Sequence, residues 1–274
     1  MGQTTIAMTR KASRTRSVLT WSGLVLLTIY VILAVATASP LRALWEELAG
    51  VVVVWMLYAV RFTFDNPRAL EPEVLAFALA DRFNPPSPGA IVFTGSSTIG
   101  HWSSLQADMA PLRVLNRGIN GAQIHQITFH ADRIILPYRP RAVVLYAGEN
   151  DIAGLLWSVR KTPEQVLIAF REFCEKIHAS LPEIPIYFIA IKPARSRMQA
   201  GPAFVRANRL VREYCESDRR LHFVDVVPAL LGPDGQPAAA IFEKDGIHLN
   251  EGGYEILTSV VKPALDKAFP ACGS

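Results

Sequence analysis

Cysteine is scarce in this chain. There are three in 274 residues, Cys174, Cys215 and Cys272, with no Cys-x-x-Cys pair and no cysteine/histidine spacing of a metal site. So sparse and odd a set argues against a disulfide framework. Cys174 and Cys215 fall on predicted helix faces, where a thiol packs as a small hydrophobe, with a single bridge between them as the alternative. Internal repeats and low-complexity tracts are lacking too. No P-loop and no Gly-x-Gly-x-x-Gly follows an apolar run, which argues against a nucleotide site. Charge is thin: 28 Lys and Arg against 24 Asp and Glu leave +4, and Arg10, Lys11, Arg14 and Arg16 alone carry four positive charges. That basic cluster reads as a membrane flank, and nucleic acid is not an expected partner.

No charged residue appears over the 22 positions from Ser17 to Ala38, which follow sixteen residues that contain no acid. A helix of that length spans about 30 Å, enough for a bilayer core, and the basic flank places its N-terminus in the cytoplasm. Ala36-Thr37-Ala38 resembles a signal-peptidase site, but the apolar run exceeds the roughly 7–15 residues of a signal peptide, which favours a retained anchor in an inner or plasma membrane. Ser39-Pro40 then reads as a helix start. Residues 48–64 form a second apolar run, interrupted only by Arg61. As a second span it would return the chain to the cytoplasm, which the Arg61 and Arg68 side of the lysine/arginine bias favours. As an interfacial helix it would leave the remaining chain outside. Residues 65–89 read as a connector containing a short amphipathic helix, "EPEVLAFALADRF", before the breaker cluster "NPPSPG".

From residue 90 to 274 the pattern changes. Apolar, β-rich runs at 90–94, 114–116, 142–146, 184–191 and 221–227 alternate with helical periodicity near 122–135, 162–180, 202–218 and 252–269. Thr162-Pro163-Glu164-Gln165 has the form of a capping box with proline at the first helical position. Such alternation predicts a flavodoxin-like three-layer α/β/α domain with a five-stranded parallel sheet, preceded by N-terminal membrane helices. Active sites of these sheets gather at the carboxyl ends of the strands. "TGSS" follows the first strand, "NRGINGAQ" the second and "AGENDI" the third, while "KDGIHLNEGG" leads into the last helix. Four polar or glycine-rich segments thus converge on one end of one sheet.

Serine needs a base to become a nucleophile, and the base needs an orienting acid. Of the six histidines, His178 lies mid-helix and His222 enters a strand, while His125 and His130 share the helix after the second strand and suit a structural or rim role. His248 has Asp245 three residues before it in a loop, a spacing that lets a carboxylate hold Nδ1–H while Nε2 faces a serine.

These blocks resemble those of the SGNH, or GDSL-type, hydrolases over about residues 90–268. Gly95-Ser96-Ser97 stands where the family usually has Gly-Asp-Ser. Asn116-Arg117-Gly118-Ile119-Asn120-Gly121 is similar to N-x-G-x-x-G, Gly148-Glu149-Asn150-Asp151 to G-x-N-D, and Asp245 to Asn250 to D-x-x-H-x-N. The resemblance implies a carboxylic ester hydrolase with Ser97 as nucleophile, His248 as base and Asp245 as its orienting acid. It also implies an oxyanion hole from the N–H groups of Ser97 and Gly121 and the side chain of Asn150. No metal or organic cofactor is expected. Ser96 replaces the usual aspartate, which is not the triad acid. The Gly-x-Ser-x-Gly elbow of α/β-hydrolases is absent, because Ile99 follows Thr98. Trp102 is expected to pack in the core or line an acyl pocket. Lys192 and Arg195 are candidates for binding an anionic substrate group, or else solvated loop charges. The expected partners are a membrane and an ester of a lipid, lysophospholipid or acylated glycan. Acyl transfer to a glycan or alcohol, or an inert binding module of the same fold, are the alternatives.

Overall fold

Strands buried on both faces read as unbroken apolar runs, and the first and third strands of the sheet do so. In the computed structural model, which describes residues 65–154 and 159–270, β1 (Ile91–Gly95) and β3 (Ala142–Tyr146) are buried along their whole length. With β2 (Val114–Gly118), β4 (Ile186–Ile189) and β5 (Leu221–Val224) they form a five-stranded sheet, all parallel, in the order β2-β1-β3-β4-β5. Side chains alternate between two cores. Val92, Val143, Leu145 and Phe188 face one layer, which holds α4 (Ile124–Ile134), the short α5 (Glu149–Ala153), α6 (Pro163–Ser180) and α7 (Gly201–Cys215). Ile91, Phe93, Val144 and Ile189 face the other, with the short helices α2 (Ser97–Gly100) and α3 (Leu105–Asp108) and the long α8 (Glu251–Ala268). The expected three layers are present, in flavodoxin-like strand order.

Strand ends differ from the sequence reading for identifiable reasons. β2 continues past Asn116 through Arg117 and Gly118, because the polar side chains of both Asn116 and Arg117 are satisfied. Asn116 Nδ2 donates to the Ile99 carbonyl at 2.7 Å, and Arg117 donates to Asp81 and Tyr138 and lies 4.8 Å from the centroid of the Phe77 ring. β4 is shorter than its apolar run. Beyond it the Asn208 side chain substitutes for a neighbouring strand, accepting from Ile191 N at 2.8 Å and donating to Ile191 O at 2.9 Å. The Thr162–Gln165 capping box forms as expected.

The amphipathic helix of the connector, α1 (Glu71–Phe83), packs through Val74 and is fastened by the Asp81–Arg117 and Glu71–Arg133 ion pairs. His125 and His130 serve structure here, their Nε2 atoms lying 3.1 and 2.8 Å from the carbonyls of Asp65 and Pro67. Cys174 and Cys215 are free and buried, and burial raises both thiols, Cys215 to about 12. They pack as hydrophobes, not as a bridge. The apolar segments 17–38 and 48–64 and Cys272 lie outside the described residues. Among the described residues no helix is long and apolar enough to cross a membrane.

Candidate active site

The register of the sheet brings the motifs together. Gly95 at the end of β1 is level with Gly118 of β2 and Tyr146 of β3, so three loops leave the sheet at one height. The chain after β1 turns at once. Gly95 has φ +129°, and an added Cβ would lie 1.9 Å from the Tyr146 carbonyl oxygen, so only glycine fits. Ser96 is buried in extended conformation, its N–H donating to Tyr146 O at 2.9 Å, and Ser97 opens the single turn of α2. Asn116 to Ile99 and Tyr254 Oη to Thr98 O, the latter at 3.0 Å, pin that turn from two sides.

Across the cleft, Asp245 forms its own loop. Its Oδ1 accepts from the N–H groups of Ile247 (2.8 Å) and His248 (3.0 Å), and Oδ2 lies 2.5 Å from His248 Nδ1. Partial burial pushes the Asp245 carboxyl up, but those two N–H groups and the imidazole outweigh it and hold the acid at about 2. With Nδ1–H committed to Asp245, Nε2 is the basic nitrogen, and it lies 3.0 Å from Ser97 Oγ. Serine, histidine and aspartate are therefore in hydrogen-bond series, the arrangement that moves a proton off a hydroxyl as it attacks.

The oxyanion donors expected from sequence are the N–H groups of Ser97 and Gly121 and the Asn150 amide. The N–H groups of Ser97 and Gly121 donate to no acceptor among the described residues, and Gly121 takes φ +75°, the left-handed region that favours glycine. The Asn150 amide is oriented unambiguously. Its Oδ1 accepts from Arg197 Nη1 at 3.1 Å, and Nδ2 donates to the Ala122 carbonyl at 3.3 Å. Arginine can only donate and a carbonyl can only accept, so the amide cannot be flipped, and one Nδ2 hydrogen remains for a ligand.

Beneath Asn150 lies a cluster that sequence reasoning missed or misassigned. Glu149 is buried and accepts from Tyr146 Oη (2.7 Å), Lys192 Nζ (3.0 Å) and Arg197 Nη1 (2.9 Å). Burial pushes its carboxyl up, but Lys192 and Arg197 prevail and hold it below the ordinary value. Burial and the neighbouring Glu149 push the Tyr146 phenol well up. Lys192, read as either an anion-binding candidate or a solvated loop charge, is 0% exposed and spends its charge on Glu149 and the Ile247 carbonyl, 2.6 Å away. Trp102 is 1% exposed, edge-on to Phe93 and bonded through Nε1 to Asp108, so it has no face for an acyl group. Arg195 stays exposed beside the Asp245 loop, whose backbone is held by its neighbour Ser196. Arg197, two residues on in the same "IKPARSR" stretch, makes the contact to Asn150, and only its basic character marked it in sequence. His101 also went unassigned; its ring lies 4.7 Å from that of His248.

A sequence model of the GDSL-like Lipase/Acylhydrolase family matches residues 80–256. The bovine (Bos taurus) platelet-activating factor acetylhydrolase IB subunit alpha1 is 25% identical over 205 residues, 73% of this chain and 77% of that protein. Among solved structures, a GDSL-like lipase from Bacteroides thetaiotaomicron superposes with a TM-score of 0.58 at 21% identity, covering 75% of this chain and 99% of that one. A catalytic mutant of the acetylxylan esterase Axe2 from Geobacillus stearothermophilus superposes with a TM-score of 0.52 at 14% identity, covering 68% and 95%. These two likenesses are of fold. Since the family match spans more than half the sequence, the chain belongs to the GDSL-like lipase/acylhydrolase family and is a serine hydrolase of ester bonds.

Proposed function

We propose that the protein is a membrane-anchored esterase working through an acyl-enzyme on Ser97. The observation that carries this reading is His248, whose two ring nitrogens reach Asp245 at 2.5 Å and Ser97 Oγ at 3.0 Å. His248 Nε2 takes the hydroxyl proton as Ser97 Oγ bonds to the ester carbonyl carbon. The carbonyl oxygen becomes an oxyanion held by the N–H groups of Ser97 and Gly121 and by Asn150 Nδ2. The imidazolium returns its proton to the leaving alkoxide, and the carbon–oxygen bond breaks. Water, deprotonated by His248, then attacks the acyl-enzyme, and the acid departs as Ser97 recovers its proton.

The membrane part of the reading rests on the uncharged run 17–38 and the apolar run 48–64. It also rests on α1, which follows them closely and leaves Leu75, Leu79 and Phe83 exposed along one stripe. Spacing of four residues keeps those side chains on one face, and an exposed apolar stripe of this kind suits a lipid surface. The lysine/arginine bias puts the N-terminus, and by the hairpin reading the catalytic domain, on the cytoplasmic side. The acetylhydrolase among the relatives makes a short acyl group the first substrate to try.

A fluorophosphonate serine probe tests the chemistry. Wild-type protein is expected to be labelled, and Ser97→Ala to lose the label while Ser96→Ala keeps it. No labelling of folded wild type would sink the esterase reading, and label lost only in Ser96→Ala would move the nucleophile. Carbonate extraction of membranes from expressing cells tests the anchor, since recovery in the soluble fraction would refute it.

A further inference from the structure

A side-chain amide has the same shape with its oxygen and nitrogen exchanged, so Asn150 serves an oxyanion only if something tells its two ends apart. Ala122 marks one end by accepting from Nδ2, and Arg197 marks the other by donating to Oδ1. Arg197 is itself fixed, because the same Nη1 also reaches Glu149 Oε1 at 2.9 Å. The other carboxylate oxygen of Glu149 is taken by Tyr146 and by Lys192. Lys192 in turn holds the carbonyl of Ile247, the residue immediately before His248. One buried carboxylate and two cations thus join the short helix that carries the oxyanion amide to the loop that carries the base. The cluster holds one positive charge more than negative, next to the place where negative charge develops, in a setting where water screens little.

We propose that Arg197 is a positioning residue for the oxyanion amide, acting through Asn150, with Glu149 and Lys192 as the frame that holds it. The inference rests on the serine esterase reading. It assigns Arg197 no contact with substrate. Its guanidinium keeps Nδ2 aimed at the reacting oxygen and polarises the amide so that this N–H donates more strongly as the oxyanion forms. Loss of Arg197 then lowers the rate of the chemical step and leaves ground-state binding almost untouched.

A double-mutant cycle on the full-length protein decides the matter, with kcat and KM measured for hydrolysis of a short-chain ester. Arg197→Met is expected to lower kcat about 10- to 30-fold, less than removal of the donor itself, with KM within about twofold. In an Asn150→Ala background the same substitution should cost less than about threefold, because the group it acts through is gone. Arg197→Lys should recover part of the loss. An equal cost in both backgrounds would overturn the proposal, as would a loss confined to KM, which marks a substrate contact. Should Arg197→Met fail to give a cooperative thermal transition, Arg197→Gln, which keeps an N–H donor without the charge, carries the cycle. Normal probe labelling of wild type combined with an additive cycle sinks this proposal alone, whereas absence of labelling sinks the esterase reading beneath it.

Discussion

Ser97 and His248 stand 151 positions apart in the chain, yet Oγ and Nε2 meet at 3.0 Å. Neither residue is held mainly by the other. Ser97 is placed by the turn out of β1, and His248 by the loop that Asp245 ties around itself. The contact is therefore preorganised, and removal of any supporting element should appear as a loss of rate more than of substrate binding.

Asp245→Asn is the sharpest case. The amide oxygen stays with the Ile247 and His248 N–H groups, so the amide nitrogen replaces Oδ2 and donates to Nδ1, which moves the imidazole proton to Nε2 and removes the base. The expected loss in kcat is about 10³- to 10⁴-fold with KM little altered, measured by steady-state hydrolysis. Asp245 is held at about 2, below the ordinary carboxylate value. The stability its interactions contribute is thus present above pH 4 and lost as pH falls towards 2. Its own titration should not set the acid limb of activity above that range.

Asn150→Ala removes one of the three proposed oxyanion donors. A reduction in kcat of about 10²- to 10³-fold is expected, with KM changed by less than about threefold. A tenfold or greater rise in KM at unchanged kcat would instead make Asn150 a ground-state contact.

Gly95→Ala tests the turn. The new Cβ would meet the Tyr146 carbonyl oxygen at 1.9 Å at a φ of +129°, and neither atom can retreat without breaking the β1–β3 register. The variant should fail to accumulate or should lose most of its thermal stability. Gly201→Ala, with nothing within 4 Å of the added carbon and a place at the start of α7, should melt within a degree or two of wild type.

Asp151 predicts a pH dependence of stability. Burial raises its carboxyl to about 7, only partly opposed by the Ile124 N–H that it accepts at 3.2 Å. Between pH 4 and 7 the folded protein keeps a proton that the unfolded chain has released, so stability declines as pH rises through that window and levels off above it. Asp151→Asn removes the titration, and its gain in melting temperature over wild type should be larger at pH 8 than at pH 5. An equal difference at the two values would mean that the acid is not buried as described.

The alternation of apolar runs with helical periodicity determined a parallel α/β sheet, and the order of the four polar blocks determined which loops would meet. Short-range signals of this kind survive in sequence because each records a local need: glycine for a positive φ, threonine and glutamine for a helix cap, aspartate three residues before histidine. Asn116 was legible as the last residue of a strand, but Arg117 was legible only as part of a motif, since its side chain is satisfied by Asp81 and Tyr138 from elsewhere in the chain. The roles of Lys192, Arg195, Arg197 and Trp102 were decided by tertiary structure alone. A cationic side chain after a strand reads the same in sequence whether it faces solvent, substrate or a buried carboxylate. Only the position of Glu149 selects among them: it draws Lys192 inward, turns Arg197 onto Asn150 and leaves Arg195 at the surface.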